Sequence, residues 1–221
     1  MKKYETIAFD LDGTLTNPER GLLSAFVYAF KKLGVEYGTR DSLKRFIGPP
    51  LYDEWQKEFG WTFDEASYAV DLFREYYNVY GWWDNEVYLG IRELLAALRA
   101  SGKKLVVATS KPEITAKKVL ALFELDGYFD YIAGASMNGS ADLKWQILTR
   151  ALDAVGAEGK SSILVGDRKF DAEGAKICGI DSLGVLWGHG SAEELSSAGF
   201  YEIVKTPEEA KKFLLKGAIA R

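Results

Sequence analysis

Short apolar runs that stop at polar clusters alternate, over most of this chain, with longer stretches of helical pattern. Tyr4–Asp10, with Ile7, Ala8 and Phe9 at its centre, ends at polar residues and Gly13 and predicts a buried strand. Lys103–Thr109, Tyr128–Ala133, Ser161–Val165 and Asp181–Leu186 carry the same pattern. Between them, Glu86–Ala100 is rich in Leu and Ala and runs into Ser101-Gly102, a helix stop. Pro112–Phe123 opens on a first-turn proline, Ala141–Val155 runs into Gly156, and Lys169–Cys178 runs into Gly179. Thr206-Pro207-Glu208-Glu209 combines a capping hydroxyl, a first-turn proline and two acids facing the helix dipole, and opens a final helix. Strands alternating with helices of this length predict βαβ units, an α/β class and a parallel sheet.

One stretch breaks the alternation. Residues 17–82 show no buried-strand pattern and predict helices over Pro18–Leu33, Arg40–Phe46, Leu51–Phe59 and Phe63–Tyr80, broken at Gly34, Gly48-Pro49-Pro50 and Gly60. The expected organisation is a core of 1–16 and 83–221 interrupted by an all-helical insert, with hinges near Thr16–Pro18 and Trp82–Asp84. Of the chain's 30 aromatic residues, 16 fall within 17–82, which suits a small unit that must build its own core. Trp55, Trp61, Tyr76, Tyr77, Tyr80, Trp82 and Trp83 exceed what such a core usually needs, and some are candidates to line a ligand cleft.

Composition narrows the function. The 221 residues are 48% hydrophobic, and 28 basic against 32 acidic residues leave a formal charge of −4. That balance argues against a nucleic-acid polymer as partner. One cysteine, Cys178, and one histidine, His189, exclude intramolecular disulfides, Cys-rich zinc sites and chemistry needing paired histidines. No segment approaches the roughly 18–20 unbroken apolar residues of a membrane helix, and the N-terminus is not of signal-peptide type, so the expectation is a cytoplasmic chain with no membrane partner. The Asn138–Ser140 sequon is then a chance match.

In open parallel sheets, ligands bind beyond the carboxyl ends of the strands. Asp10-Leu11-Asp12-Gly13-Thr14 stands there after the first strand, Thr109-Ser110-Lys111 after the second, and Gly166-Asp167-Arg168-Lys169-Phe170-Asp171 after the fourth. Lys144 stands at a helix start between the third and fourth. Clustered acids repel and raise one another's pKa, which a divalent cation relieves, and hard oxygen ligands suit Mg²⁺. If the chain stays extended through Leu11, Asp10 and Asp12 point to one side, one as nucleophile and the other as proton donor and acceptor. Gly13 is expected to offer its N–H to an anion, and Thr109 and Lys144 to hold phosphoryl oxygens, with Ser110 beside them.

These segments resemble a known family. Asp10–Thr14 (DLDGT), the strand ending in Thr109, Lys144, and Gly166–Asp171 (GDRKFD) are similar, in order and separation, to the four signature motifs of the haloacid dehalogenase superfamily. The resemblance implies a Rossmann-like core with helices on both faces. It also implies that 17–82 is a cap of the kind found in the phosphoglycolate phosphatase-like branch, whose cap loop Ile47–Leu51 resembles. Gly184–Gly188 and Ser191–Leu195 resemble that branch's late core segment. Gly139–Leu143 departs from the proline-containing run common before the lysine. By the same resemblance, Asp10 attacks phosphorus and Asp12 protonates the leaving alcohol and then activates water. Asp10, the Asp12 carbonyl and Asp167 hold Mg²⁺, Asp171 orients a metal-bound water, and Thr109 and Lys144 hold the phosphoryl group. Members acting on carbon–halogen bonds keep no acid at the Asp12 position, so Asp12 favours phosphate esters.

The substrate is then expected to be a small phosphorylated metabolite. Two readings stand side by side: a phosphoglycolate-type monoester, and a nucleoside 5′-monophosphate, since bacterial relatives with a Gly-Asp-Arg-Lys run like Gly166–Lys169 are grouped as 5′-nucleotidases. A phosphomutase on the same acids, and a non-catalytic phospholigand-binding protein, are the readings from other classes. Arg45, just before the cap loop, is a further candidate for a substrate anion. Gly156–Ser161 looks like a phosphate-binding loop only superficially, since its glycine spacing is short and a strand follows it. His189 is expected in a solvent-exposed loop, Cys178 as a small buried apolar group, and the chain as a monomer or weak homodimer.

Overall fold

The structure is a computed structural model that describes residues 3–48, 51–136, 143–157 and 159–216. The Pro49-Pro50 part of the cap-loop resemblance, the sequon and residues 139–142 lie outside the described residues. Contacts divide the chain into one unit of Met1–Thr16 with Val87–Arg221 and another of Asn17–Glu86.

The first unit is built on a six-stranded sheet in the order β5-β4-β1-β6-β7-β8. Its strands are β1 (Thr6–Phe9), β4 (Lys104–Pro112), β5 (Tyr131–Ala135), β6 (Ser162–Gly166), β7 (Asp181–Val185) and β8 (Glu202–Val204), all paired in parallel. β1 sits centrally, with Ala8 in register with Val106 on one side and Leu164 on the other. Side chains alternate across the strand, so Ala8, Val106, Ala108 and Leu164 share one face. There they pack with Ile147, Leu148 and Ala151 of α6 (Lys144–Ala154) and Ala175 of α7 (Lys169–Ile177). Successive crossovers leave β1 in opposite directions, toward β4 and toward β6, and such a switch of direction opens a crevice beyond the strand ends.

Three local outcomes differ from the pattern reading. Glu86 and Val87 are not helical. They form β3 (Glu86–Val87), paired with β2 (Thr16–Asn17), and α4 (Ile91–Ala100) starts only after Gly90. β4 does not stop at Thr109 but carries Ser110 and Lys111 as strand residues to Pro112. Short β8 and α8 (Ala192–Ala198) carry too few residues for a periodic signal, and contact with β7 defines the first of them.

The second unit holds α1 (Glu19–Leu33), a 3₁₀ turn over Asp41–Phe46, α2 (Leu51–Phe59) and α3 (Phe63–Tyr76), which passes into a π-helical turn over Tyr77–Gly81. The helix expected to run to Tyr80 therefore changes hydrogen-bond pattern at Tyr77. Thr62 and Glu65 form a reciprocal capping box at the start of α3. The unit extends beyond Trp82 to Glu86 because Gly21 N–H bonds the Asp84 carbonyl at 3.2 Å and Arg20 pairs with Asp84 at 3.1 Å. Its core is a ring cluster. Trp55 is fully buried, edge-on to Phe26, Phe46 and Trp61, with Phe26 stacked on Phe73 at 5.2 Å. Trp55, Trp61 and Tyr77 thus serve packing, while Tyr80 and Trp83 are exposed.

Candidate active site

Asp10 follows β1 directly. Its N–H bonds the Val165 carbonyl at 2.9 Å, which extends the β1–β6 ladder and holds the carboxylate at the sheet edge. The chain then turns sharply, with the Leu11 carbonyl accepting from the N–H groups of Thr14, Leu15 and Thr16 at 3.2, 2.9 and 3.0 Å. Gly13 has φ +81°, and a Cβ there would stand 2.1 Å from Asp167 Oδ2. Its N–H donates to the Thr16 carbonyl at 2.8 Å. Glycine is required here because two loops meet without room for a side chain.

Asp167 follows β6 and is fully buried. It accepts from the His189 N–H at 2.8 Å and from Thr14 Oγ1 at 3.3 Å. Asp171, also buried, accepts the Arg168 N–H at 3.1 Å on Oδ2 and so caps α7. Lys144, the first residue of α6, is buried with its ammonium 2.9 Å from Asp10 Oδ1 and 2.7 Å from Asp171 Oδ1.

One carboxylate oxygen from each of Asp10, Asp167 and Asp171 lies within 4.8 Å of the other two. Burial, then the charges of Asp171 and Asp10, hold Asp167 well above the usual carboxylate range. Burial pushes Asp171 up to about 6 against the pull of Lys144. For Lys144, burial alone would lower the pKa, but Asp10 and Asp171 outweigh it and raise it. One ammonium among three close carboxylates leaves net negative charge in a dry place. The donors are hard oxygens, so the set fits a divalent cation.

The Asp12 carboxylate stands apart from that trio. Its Oδ2 is 2.5 Å from Lys111 Nζ, and its Oδ1 is buried with no hydrogen-bond partner among the described residues. Thr109 is buried, with Oγ1 accepting the Lys111 N–H at 3.2 Å, and Ser110 is exposed. Arg45 belongs to the second unit. Its guanidinium donates to Glu58 at 2.6 Å and to the Ser42 carbonyl at 3.0 Å and lies over the Phe46 ring.

Two features were not read from the sequence. The first is the Lys111–Asp12 pair, whose only signal was a lysine two residues after Thr109. The second is the support that Trp187–Glu194, noted in sequence only as a late core segment, gives to the site's loops. Trp187 Nε1 donates to the Thr14 carbonyl at 3.0 Å, the His189 N–H holds Asp167, and Glu194 Oε1 accepts from Arg168 Nε and the Lys169 N–H, both at 2.9 Å. A Cβ on Gly190 would meet the Asp167 carbonyl at 1.9 Å, so the glycines beside His189 were the available clue. His189 is half-buried and its backbone supports an acid, which corrects the solvent-exposed reading. Cys178 is half-buried, with Sγ donating to the Trp145 carbonyl at 3.4 Å.

The profile of the haloacid dehalogenase-like hydrolases matches residues 7–185, which includes Asp10, Asp12, Asp167 and Asp171. The chain belongs to that family. It is 37% identical over 193 residues to a 5′-nucleotidase of Pseudomonas aeruginosa, covering 87% of each chain. It is 39% identical over 189 residues to tyrosine-protein kinase PtkA of Mycobacterium tuberculosis, covering 86% of this chain but 64% of that longer one. A phosphoglycolate phosphatase of Aquifex aeolicus is 32% identical over 183 residues, covering 83% of this chain and 85% of that one. Among solved structures, a predicted phosphatase from Clostridium acetobutylicum superposes with a TM-score of 0.92 at 36% identity, covering 97% and 99% of the two chains. Within the haloacid dehalogenase-like family, the chain is a phosphatase.

Proposed function

We propose that this phosphatase hydrolyses small phosphate monoesters by two displacements at Asp10. The observation that carries the reading is the Asp10 carboxylate at the head of β1, 2.9 Å from the Lys144 ammonium and grouped with Asp167 and Asp171. An Asp10 oxygen attacks phosphorus as the phosphorus–oxygen bond to the leaving group breaks, and Asp12 gives its proton to the leaving oxygen. Asp12 then takes a proton from water as that water attacks the aspartyl-phosphate, releasing phosphate and restoring Asp10. Lys144 and the Thr109 hydroxyl hold the transferring oxygens. Asp10, Asp167 and the Asp12 carbonyl would hold Mg²⁺, with Asp171 beside it, and the ion would supply positive charge to the phosphoryl oxygens.

In this reading the helical unit Asn17–Glu86 acts as the substrate-selecting cap. Arg45 joins the machinery only if it leaves Glu58 for a substrate anion. Both the phosphoglycolate-type and the nucleotide substrates have a named relative behind them. A free Cys178 and no helix among the described residues long and apolar enough to cross a membrane accord with a cytoplasmic setting.

The test is phosphate release from an aryl phosphate with Mg²⁺, alongside Asp10→Asn. Release that D10N abolishes supports the reading. No release by the wild-type protein, or sugar-phosphate isomerisation without net phosphate, would overturn it.

A further inference from the structure

We infer that Lys111 makes this site favour substrates whose leaving group carries its own negative charge next to the scissile oxygen. The inference rests on the two-displacement reading above and deepens it by naming the substrate class.

The two lysines of the site stand at different ends of the reaction. Lys144 contacts Asp10 and Asp171, on the side where phosphorus is attacked. Lys111 contacts Asp12, the acid assigned to the leaving oxygen, at 2.5 Å. An acid that protonates a leaving oxygen must lie within about 3 Å of it. The Lys111 ammonium is then within about two hydrogen-bond lengths of that oxygen, or roughly 6 Å. A carboxylate or phosphate one or two bonds from the leaving oxygen falls inside this reach.

The lysine is also built into the scaffold. Its backbone is strand β4, its N–H is tied to Thr109 Oγ1 at 3.2 Å, and its side chain is only 4% exposed. A preorganised ammonium with little water around it strengthens a charge-assisted hydrogen bond to a substrate anion. A nucleoside leaving group offers no such anion near its 5′-oxygen, whereas glycolate offers a carboxylate and pyrophosphate a second phosphate. The geometry therefore favours the acidic leaving groups over the nucleoside.

The experiment compares kcat/KM for 2-phosphoglycolate and for inorganic pyrophosphate, each against 2-hydroxyethyl phosphate, whose leaving group is neutral. It uses the wild-type protein, Lys111→Met and Lys111→Arg, with Mg²⁺. Each ratio is measured within one preparation, so the folded fraction cancels. The wild type is expected to favour at least one anionic substrate by about tenfold to a hundredfold, the range of one charge-assisted hydrogen bond. K111M is expected to bring that ratio close to one, and K111R to keep it within about threefold of the wild type. The arm that shows the preference identifies the anion as carboxylate or phosphate. A wild-type ratio near one in both arms, or a K111M ratio unchanged while all rates fall together, overturns the inference and leaves Lys111 a support for Asp12. Absence of phosphate release from every substrate, the neutral one included, would instead bring down the hydrolase reading itself.

Discussion

The two units of this chain solve the problem of burial in opposite ways. The helical unit buries rings: Phe26, Phe30, Phe46 and Trp55 are at most 2% exposed, with Phe26 and Phe30 edge to face with Phe46, and Phe26 and Phe46 edge to face with Trp55, a geometry aromatic pairs favour. The sheet unit buries charge at the head of β1, where Lys144, Asp167 and Asp171 are all enclosed, at a cost that neighbours only partly offset. The first arrangement stabilises and does no chemistry. The second crowds hard carboxylate oxygens in a dry place, a donor set that fits a divalent cation.

That contrast can be broken at several points. The largest effect should come from Asp10→Asn, which removes the nucleophile: a loss of at least about a thousandfold in kcat is expected, with little change in the thermal midpoint. Trp55→Ala should do the reverse. It should cost about 3–5 kcal/mol of stability, read by denaturant melts, whereas Tyr80→Ala on the exposed face should stay within about 0.5 kcal/mol.

A smaller effect is expected from pH. A carboxyl whose pKa is raised by folding binds its proton more tightly in the folded state, so it favours that state at low pH. Asp171 is raised from 3.8 to about 6 and Asp167 shifts the same way. The metal-free protein should therefore lose stability as pH rises from about 4 through about 6, at up to about 1.4 kcal/mol per pH unit for each group. Lys144, raised in the folded state, contributes its full stabilisation throughout this window. Adding Mg²⁺ should flatten the profile, and a metal-free midpoint rising over that range would contradict the charge-crowding account. The smallest effect should be Glu194→Ala, which frees Arg168 and Lys169 from their shared acceptor. About tenfold weaker Mg²⁺ binding is expected, measured by titration calorimetry, with rescue by Glu194→Gln.

Much of this was legible before any coordinates, and the particular misses show where legibility stops. The runs around Ile7–Phe9, Lys104–Ala108 and Ile163–Val165 announced strands because alternation and apolar content are local properties. The acids Asp10, Asp167 and Asp171 and the lysine Lys144 were legible as a set, because each follows or opens an element whose end can be read from the chain. That the Gly13 N–H meets the Thr16 carbonyl was not legible, because the contact depends on how tightly the loop closes. The π-helical turn at Tyr77–Gly81 looks like plain helix in sequence and is marked only by the close approach of Gly81 to Gly21.

By itself, the amino-acid order determined the alternation of strands and helices, the place of the helical insert and which carboxylates stand at strand ends, because periodicity, capping and breakers act over a few residues. Tertiary structure alone decided which carboxylate meets which ammonium. Asp12 lies far from Lys111 in the chain and Asp167 from Thr14, and they meet only because the sheet sets β4 and β6 on either side of β1. Charge pairing falls off with distance in space and takes no account of separation along the chain, so the division of labour between Lys144 and Lys111 appears only once the strands are in register.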